Sequence, residues 1–156
     1  MAARIFTCLW LAVFLTALSP SPLLALDSKS GVPVLCYHQV LPHPEGKFML
    51  STRAFRDQMG LLKKQGYSAI NGNTLLEILR GKEVPQRKYV VISFDDGFLN
   101  VFTHAFPIMK EFGFVGVACI YPEFIGSGGG MSWSQLKQLQ TAGWSIECHS
   151  MSHADL

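Results

Sequence analysis

The sequence has little charge. Lys, Arg, Asp and Glu make up only 15% of its 156 residues, and the formal net charge is +2. Arg80, Lys82, Arg87 and Lys88 lie in a connection that contains Gly and Pro, which is typical of a solvated loop. This composition gives no indication of a nucleic-acid partner or of electrostatic binding to a membrane surface. The 49% share of hydrophobic residues instead predicts one globular domain.

Cysteine is also scarce. The chain has four cysteines, and Cys8 lies in the N-terminal apolar segment, which leaves Cys36, Cys119 and Cys148. An odd number without CxxC spacing argues against a disulfide framework and against a cysteine-rich zinc site. Each of the three lies in an apolar run that is typical of a buried strand, so we expect three core thiols.

Long apolar runs are absent except at the N-terminus. Arg4 precedes an apolar-rich stretch from Ile5 to Leu18, and "SPSPLLALD" follows it. This pattern predicts a signal peptide, residues 1–25, and a short linker, residues 26–31. The stretch is shorter than the about 20 residues of a membrane span. We therefore expect a secreted, periplasmic or cell-envelope protein with no stable membrane span after cleavage; the alternative is an uncleaved anchor.

From residue 32 onward, short β-type runs alternate with helical ones, without an internal repeat. The predicted strands are "VPVLCY", "YSAI", "KYVVISF", "FVGVACIY" and "WSIEC". Because these runs show no polar/apolar alternation, we expect burial on both faces and an α/β fold with a parallel sheet or barrel wrapped by helices. Chemistry in such folds gathers at the carboxyl ends of the strands. Three strands end in reactive residues: His38, the pair Asp95–Asp96, and His149.

Predicted helices occupy the segments between these strands. Ser51 and Asn73 are the expected N-caps of two of them, and Ser132 or Ser134 is the expected N-cap of a later one. A further helical stretch is interrupted by Pro107.

The motif "SFDDG" places two carboxylates directly after a buried strand. Neighbours on a regular strand point to opposite faces, so Asp95 and Asp96 share a pocket only if the strand ends there. Gly97 supplies the backbone freedom for that turn. Two adjacent carboxylates repel each other at a strand end unless water, a cation or a shared proton compensates their charge. The alternative is a loop in which Asp96 caps the next helix.

The motif "HSMSH" contains histidines four residues apart, directly after the last predicted strand. If the segment is helical there, the two Cβ atoms lie roughly 5–6 Å apart on one face, close enough for the histidines to hold one ion. With one of the two Asp residues, His149 and His153 form a three-ligand set that suits a catalytic Zn²⁺ with an open position for water; Co, Ni or Fe are alternatives. The second Asp is then a base for that water while the metal polarises a carbonyl.

From Val32 to the end, about 125 residues, the sequence resembles the polysaccharide deacetylases with NodB homology (carbohydrate esterase family four). "SFDDG" is similar to the first motif of that family and "HSMSH" to its second. The resemblance implies a distorted (β/α) barrel in which Asp95 is the catalytic base and Asp96, His149 and His153 bind the metal. Ser150 would brace the histidine loop. The implied substrate is an N-acetylated polysaccharide, which loses acetate when the metal-bound water attacks the acetamide carbonyl.

The start "VPVLCYHQV" resembles the permuted branch of the family, which acts on poly-β-1,6-N-acetylglucosamine of biofilm matrices. In that branch a histidine near the N-terminus replaces one found late in the domain. His38 is the matching position and would protonate the leaving amine; the alternative is a structural histidine.

The later motifs of the family, which help to form the oxyanion pocket, are absent before Leu156. We therefore expect residues 32–156 to be the N-terminal part of a deacetylase domain, incomplete at the C-terminus. An incomplete barrel exposes a strand edge, so we expect low activity and a tendency to aggregate.

Other functions remain open at this point. A non-catalytic carbohydrate-binding module could keep the same scaffold. An aspartyl phosphatase is disfavoured, because its second acid usually comes two residues after the first, where this chain has Gly97. Within the deacetylase interpretation, peptidoglycan, chitin or a smaller acetylated compound are alternative substrates. Trp133, Trp144, Phe98 and Phe124 are candidates for stacking on sugar rings, or core residues.

Overall fold

The computed structural model describes residues 31–82 and 88–154. The predicted signal peptide, residues 1–25, lies outside the described residues, as do residues 26–30 of the predicted linker and residues 83–87 of the basic connection. The described part of the chain belongs to the unit Gly31–Leu156. Among its helices, none combines the length and the hydropathy that a membrane crossing requires.

All five predicted strands form, and a short parallel pair adds two more. In chain order, the elements are β1 (Val34–Tyr37), β2 (Gln39–Leu41), β3 (Met49–Ser51), α1 (Thr52–Lys64), β4 (Tyr67–Ile70), α2 (Gly72–Leu79), β5 (Lys88–Phe94), a π-helical turn (Val101–Ala105), α3 (Phe106–Glu111), β6 (Val117–Ile120), a 3-10 turn (Pro122–Phe124), α4 (Trp133–Thr141) and β7 (Ser145–Cys148). The predicted interruption at Pro107 coincides with the change from π-helical to α-helical hydrogen bonding.

The main sheet is parallel throughout. Strand β5 pairs with β1, β4 and β6, and β6 pairs with β7. Tyr37 is level with Phe94, and Ile120 is level with Cys148. The α/β class with a parallel sheet is therefore confirmed; within the described ranges the strands form an open sheet. The carboxyl ends of β1, β5 and β7 consequently lie at one edge.

One face of the sheet carries most of the core. Val90, Ile92 and Phe94 of β5 are fully buried there, together with Phe55 and Met59 of α1. Burying a side chain of this size contributes about 1.5–3 kcal/mol, so this face accounts for much of the stability. The two aromatic rings of Phe55 and Phe94 meet edge-on, with centroids 5.8 Å apart.

The opposite face is only partly covered. Val91 and Val117 pack there with Leu75 and Ile78 of α2, but Val34 of β1 is 56% exposed. The expectation of burial on both faces is thus correct for β5 and wrong for β1 and β7, whose side chains are exposed in part. The physical reason is that α2 covers the middle of this face and leaves its margins open.

Two of the predicted helix caps are found and one is wrong. The Ser51 hydroxyl accepts a hydrogen bond from Ala54 N at 3.1 Å, and Ser132 caps α4 in a reciprocal capping box with Gln135. The cap of α2 is Asn71 rather than Asn73. Asn71 has extended backbone angles and its side chain accepts from Thr74 N, whereas Asn73 already lies inside the helix.

Candidate metal centre

The two carboxylates separate at a sharp turn that follows β5. Asp95 N still donates to Tyr37 O at 2.9 Å, which continues the pairing of β5 with β1. Asp96 and Gly97 then adopt positive φ angles of 72° and 84°. A short polar residue such as Asp tolerates this region better than most. A Cβ atom on Gly97 would lie 3.0 Å from Ile120 Cγ2, so glycine is required for both conformation and space.

The alternative in which Asp96 caps the next helix does not fit the structure. The following helical segment begins at Val101, and its first residue is preceded by Asn100, which makes no side-chain capping bond. Asp96 Oδ1 accepts no hydrogen bond in the described part of the chain, although it is buried. The Asp96 side chain is therefore positioned for something other than a helix end.

The histidine segment is a loop, so the helical geometry considered for it is wrong. His149 N donates to Ile120 O at 2.8 Å, which anchors the start of the loop to β6. The Ser150 hydroxyl accepts a hydrogen bond from His153 N at 3.0 Å. Ser150 and His153 have φ angles of 66° and 57°. This tight turn brings the two imidazole centroids to 5.2 Å without a helix.

The loop and the turn meet around one point. Asp96 Oδ1 lies 3.4 Å from His149 Nε2 and 3.2 Å from His153 Nε2. The three residues offer ligand atoms that are all within 4.8 Å of one another. A tetrahedral Zn²⁺ with its usual bond lengths separates N and O ligands by about 3.3–3.6 Å. The two Asp96 distances are thus already close to those of a metal site.

Physical considerations favour a cation between these groups. The Asp96 side chain is only 13% exposed, and an unpaired buried carboxylate oxygen is costly. Asp96, Ser150 and His153 are also the non-glycine residues with positive φ in the described ranges. Such strain costs on the order of 1–3 kcal/mol per residue and concentrates at functional sites. The residues present therefore fit a divalent metal ion.

Asp95 lies in a second cluster, on the side of β1. The Cys36 thiol donates to Asp95 Oδ2 at 3.1 Å, and His38 brings a ring nitrogen within 4.8 Å of both. Burial, followed by the contact with the Asp95 carboxylate, raises the pKa of Cys36. Burial and then the Asp95 charge also raise the pKa of Cys119, to about 12. No local sequence pattern indicates these thiol contacts, because they depend on strand pairing.

The expectation of three core thiols is wrong for two of them. Cys36 and Cys148 are exposed, and Cys119 is half-buried. The reason is the uncovered margin of the sheet, where β1 and β7 present side chains that an apolar sequence run suggested would be buried.

His38 stacks on Phe48, with ring centroids 5.0 Å apart and an interplanar angle of 24°. Phe48 is 61% exposed and belongs to the wall of a cleft of about 460 Å³ that also contains His38 and Gln58. Sequence reasoning missed Phe48, because its place beside His38 follows from the β2–β3 pair rather than from any local pattern.

The aromatic residues considered for stacking on sugar rings differ in how far they are exposed to solvent. Trp144 is 3% exposed and packs on Phe94, so it is a core residue. Trp133 is 68% exposed on α4. Phe124 stacks on Tyr121, which in turn contacts the His153 ring at a centroid distance of 5.3 Å. Tyr121 is thus a neighbour of the metal centre that the sequence did not indicate.

Comparisons with known proteins find similar sequences and structures. Residues 82–156 match the family model described as polysaccharide deacetylase. The chain is 25% identical over 130 residues to YxkH of Bacillus subtilis (strain 168), which covers 83% of this chain and 46% of that protein. It is 31% identical over 85 residues to the poly-beta-1,6-N-acetyl-D-glucosamine N-deacetylase of Escherichia coli (strain K12), which covers 53% of this chain and 13% of that one.

A solved structure supports the same assignment. IcaB from Ammonifex degensii superimposes with a TM-score of 0.68 at 31% identity, over 76% of this chain and 52% of that chain. The chain thus spans less than half of the curated relatives and about half of this solved one. Asp95, Asp96, His149 and His153 lie within the range 82–156 that matches the family model, and the chain is similar to polysaccharide deacetylases over that range.

Proposed function

We propose that this protein hydrolyses N-acetyl groups of a polysaccharide that contains N-acetylglucosamine. One observation carries the proposal: Asp96 Oδ1 is buried and faces two imidazole nitrogens at 3.2 and 3.4 Å, with a second carboxylate on the next residue. This is the donor set of an open catalytic metal site with an adjacent base.

Asp96, His149 and His153 would hold the metal, with Zn²⁺ as the first candidate and Co, Ni or Fe as alternatives. When bound, such an ion supplies a Lewis acid for the acetamide carbonyl and makes water more acidic. Ser150 would contribute by holding the loop: its hydroxyl accepts from His153 N and restrains the backbone that carries the His153 ring. Orienting contacts of this kind preserve ligand geometry in metal sites.

Asp95 would accept the proton of the attacking water. Its carboxylate is partly buried and lies at the same strand end as the three candidate metal ligands, so a water between the two groups would be within its reach. His38 would donate a proton from its ring to the departing amine. The ring is held by stacking on Phe48 and lies on the β1 side of Asp95.

The names of the relatives and the shape of the cleft support this substrate class. The Escherichia coli relative is named for poly-beta-1,6-N-acetyl-D-glucosamine, and the "VPVLCYHQV" segment matches the branch expected for that polymer. The cleft beside His38 has an exposed aromatic wall at Phe48 and a volume of about 460 Å³, which suits a sugar ring. Secretion or export to the cell envelope is consistent with a substrate of this kind.

The decisive test compares the rate of acetate release from an N-acetylglucosamine oligomer by the unaltered protein and by the Asp95→Asn variant. Because this change removes a proton acceptor, we expect the rate to fall by about 10²–10⁴. The Zn²⁺ affinity of the Asp96 centre, measured by calorimetry at the first equivalent, should stay within a few-fold, since Asp95 is not one of its three ligands. Asp57→Asn, an exposed carboxylate on α1, is the matched control and should leave the rate unchanged.

A binding module without catalysis would behave differently. It would bind the oligomer equally well before and after Asp95→Asn and release no acetate in either form. That result would overturn the enzymatic proposal while leaving the similarity to polysaccharide deacetylases intact.

A further inference from the structure

We propose that Cys36, His38 and Asp95 form a second cation site, distinct from the Asp96 centre, which takes a thiophilic divalent cation such as Zn²⁺ or Cd²⁺. Occupation of this site would block the acid and the base of the proposed reaction. The site would make the protein sensitive to excess metal.

The donor set supports such a site. A thiol, an imidazole and a carboxylate each offer one ligand atom, and these atoms lie within 4.8 Å of one another. Cys36 Sγ and Asp95 Oδ2 are 3.1 Å apart. Zn²⁺ with ordinary bond lengths separates S and O ligands by about 3.6 Å, so modest side-chain rotation is sufficient. Cys36 is exposed, which leaves a path for the ion and an open coordination position for water.

The backbone fixes these three residues together. Cys36 and His38 are two positions apart along an extended segment, a spacing that puts both side chains on one side. Tyr37 is paired with Phe94, and Asp95 N donates to Tyr37 O, so Asp95 is held level with the end of β1. The ligands come from paired strand ends rather than from a free loop, and their separation is set by the sheet.

The second site should be weaker than the first. The Cys36 thiol already donates a hydrogen bond to Asp95 Oδ2 at 3.1 Å, and this bond must break when a cation binds. A cation must therefore displace the thiol proton, which leaves to solvent as the sulfur–metal bond forms. Asp96 Oδ1, by contrast, has no hydrogen bond to lose within the described residues. Metal should fill the Asp96 centre first and the Cys36 site at higher concentration.

The inhibitory consequence rests on the proposed function, whereas the site itself does not. An ion on Asp95 and His38 occupies the lone pairs that would accept and pass on protons. Activity should then rise with the first equivalent of Zn²⁺ and fall as the second site fills.

The site is tested by titrating the full chain with Cd²⁺ and recording the ultraviolet thiolate-to-cadmium charge-transfer band. We expect the band in the unaltered protein and in Cys148→Ser, whose exposed thiol is outside the cluster. Cys36→Ser should lose it. Asp96→Asn, which removes the first site, should keep it. A band that survives in Cys36→Ser, or disappears in Cys148→Ser, would overturn the assignment.

The inhibition is tested separately, by measuring acetate release over a range of Zn²⁺ concentrations. The rate of each variant is divided by the rate of the same variant at one equivalent of Zn²⁺ per protein. Cys36→Ser should need at least about 10-fold more Zn²⁺ for half inhibition, because one of three ligands is gone. Equal inhibition of both proteins would refute the regulatory role. If the unaltered protein shows the Cd²⁺ band but never releases acetate, the proposed function fails and the site stands.

Discussion

The two clusters at the strand ends are built in different ways from neighbouring carboxylates. Asp96, His149 and His153 come from a turn and a loop, and two of these residues have positive φ angles. Cys36, His38 and Asp95 come from the ends of two paired strands. The first cluster contains a buried carboxylate oxygen without a hydrogen bond among the described residues, and in the second the thiol supplies that bond.

This difference shows which of the two clusters is held in a strained backbone conformation. Positive φ at Asp96 and His153 costs free energy that packing elsewhere must offset. Cys36 and Asp95 have no positive φ angle, so their backbones carry no comparable strain. We infer that a bound cation would lower the free energy of the strained Asp96 cluster, whereas the Cys36 cluster is stable without one.

The largest expected effect comes from Asp96→Asn. Loss of a ligand charge should weaken Zn²⁺ binding by more than about 100-fold, since even residues that only orient metal ligands give 10–100-fold losses. The metal-free protein should become more stable, by about 1 kcal/mol, because a buried carboxylate oxygen that accepts no hydrogen bond from the described residues is replaced by a neutral amide. Calorimetry and denaturant unfolding measure the two quantities. A fall in metal-free stability would contradict the comparison drawn between the clusters.

A smaller effect is expected at Gly97, the hinge of the Asp96 turn. Gly97→Ala adds a Cβ 3.0 Å from Ile120 Cγ2 at a φ of 84°, so it combines backbone strain with overlap. Gly66→Ala is the matched control: φ is 79° and nothing lies within 4 Å. We expect a loss of about 1 kcal/mol at Gly66 and roughly 1 kcal/mol more at Gly97. Denaturant midpoints measure both, and equal losses would show that Ile120 yields freely.

The smallest effect is expected at Ser150. Ser150→Ala removes the hydroxyl that accepts from His153 N, which should cost about 1 kcal/mol and up to about 10-fold in Zn²⁺ affinity. Ser152→Ala, an exposed serine in the same loop, is the control. The Cd²⁺ band of the Cys36 cluster should be unchanged in both. A change in that band would mean that the two clusters are coupled.

Local patterns predicted the strands well. The strand over Lys88–Phe94 has the predicted bounds, because its short length and its β-branched and aromatic residues favour a strand over a helix. Ser51 caps α1 as expected. The predicted cap of α2, Asn73, lies two residues after the observed one, Asn71. Both residues are good N-caps, and only their backbone conformation distinguishes them. The predicted roles of Asp95, His38 and Ser150 in catalysis stay predictions.

The sequence by itself determined that His38, the two Asp residues and His149 follow strands, and parallel strands place such residues at one edge because all of them run in the same direction. Only the tertiary structure decided which atoms face one another. The turn at Asp96 and the loop at Ser150 depend on contacts with Ile120 and His153, and Cys36 reaches Asp95 because β1 lies beside β5. Long-range pairing of this kind leaves no local trace in a chain, since the partners are far apart in sequence.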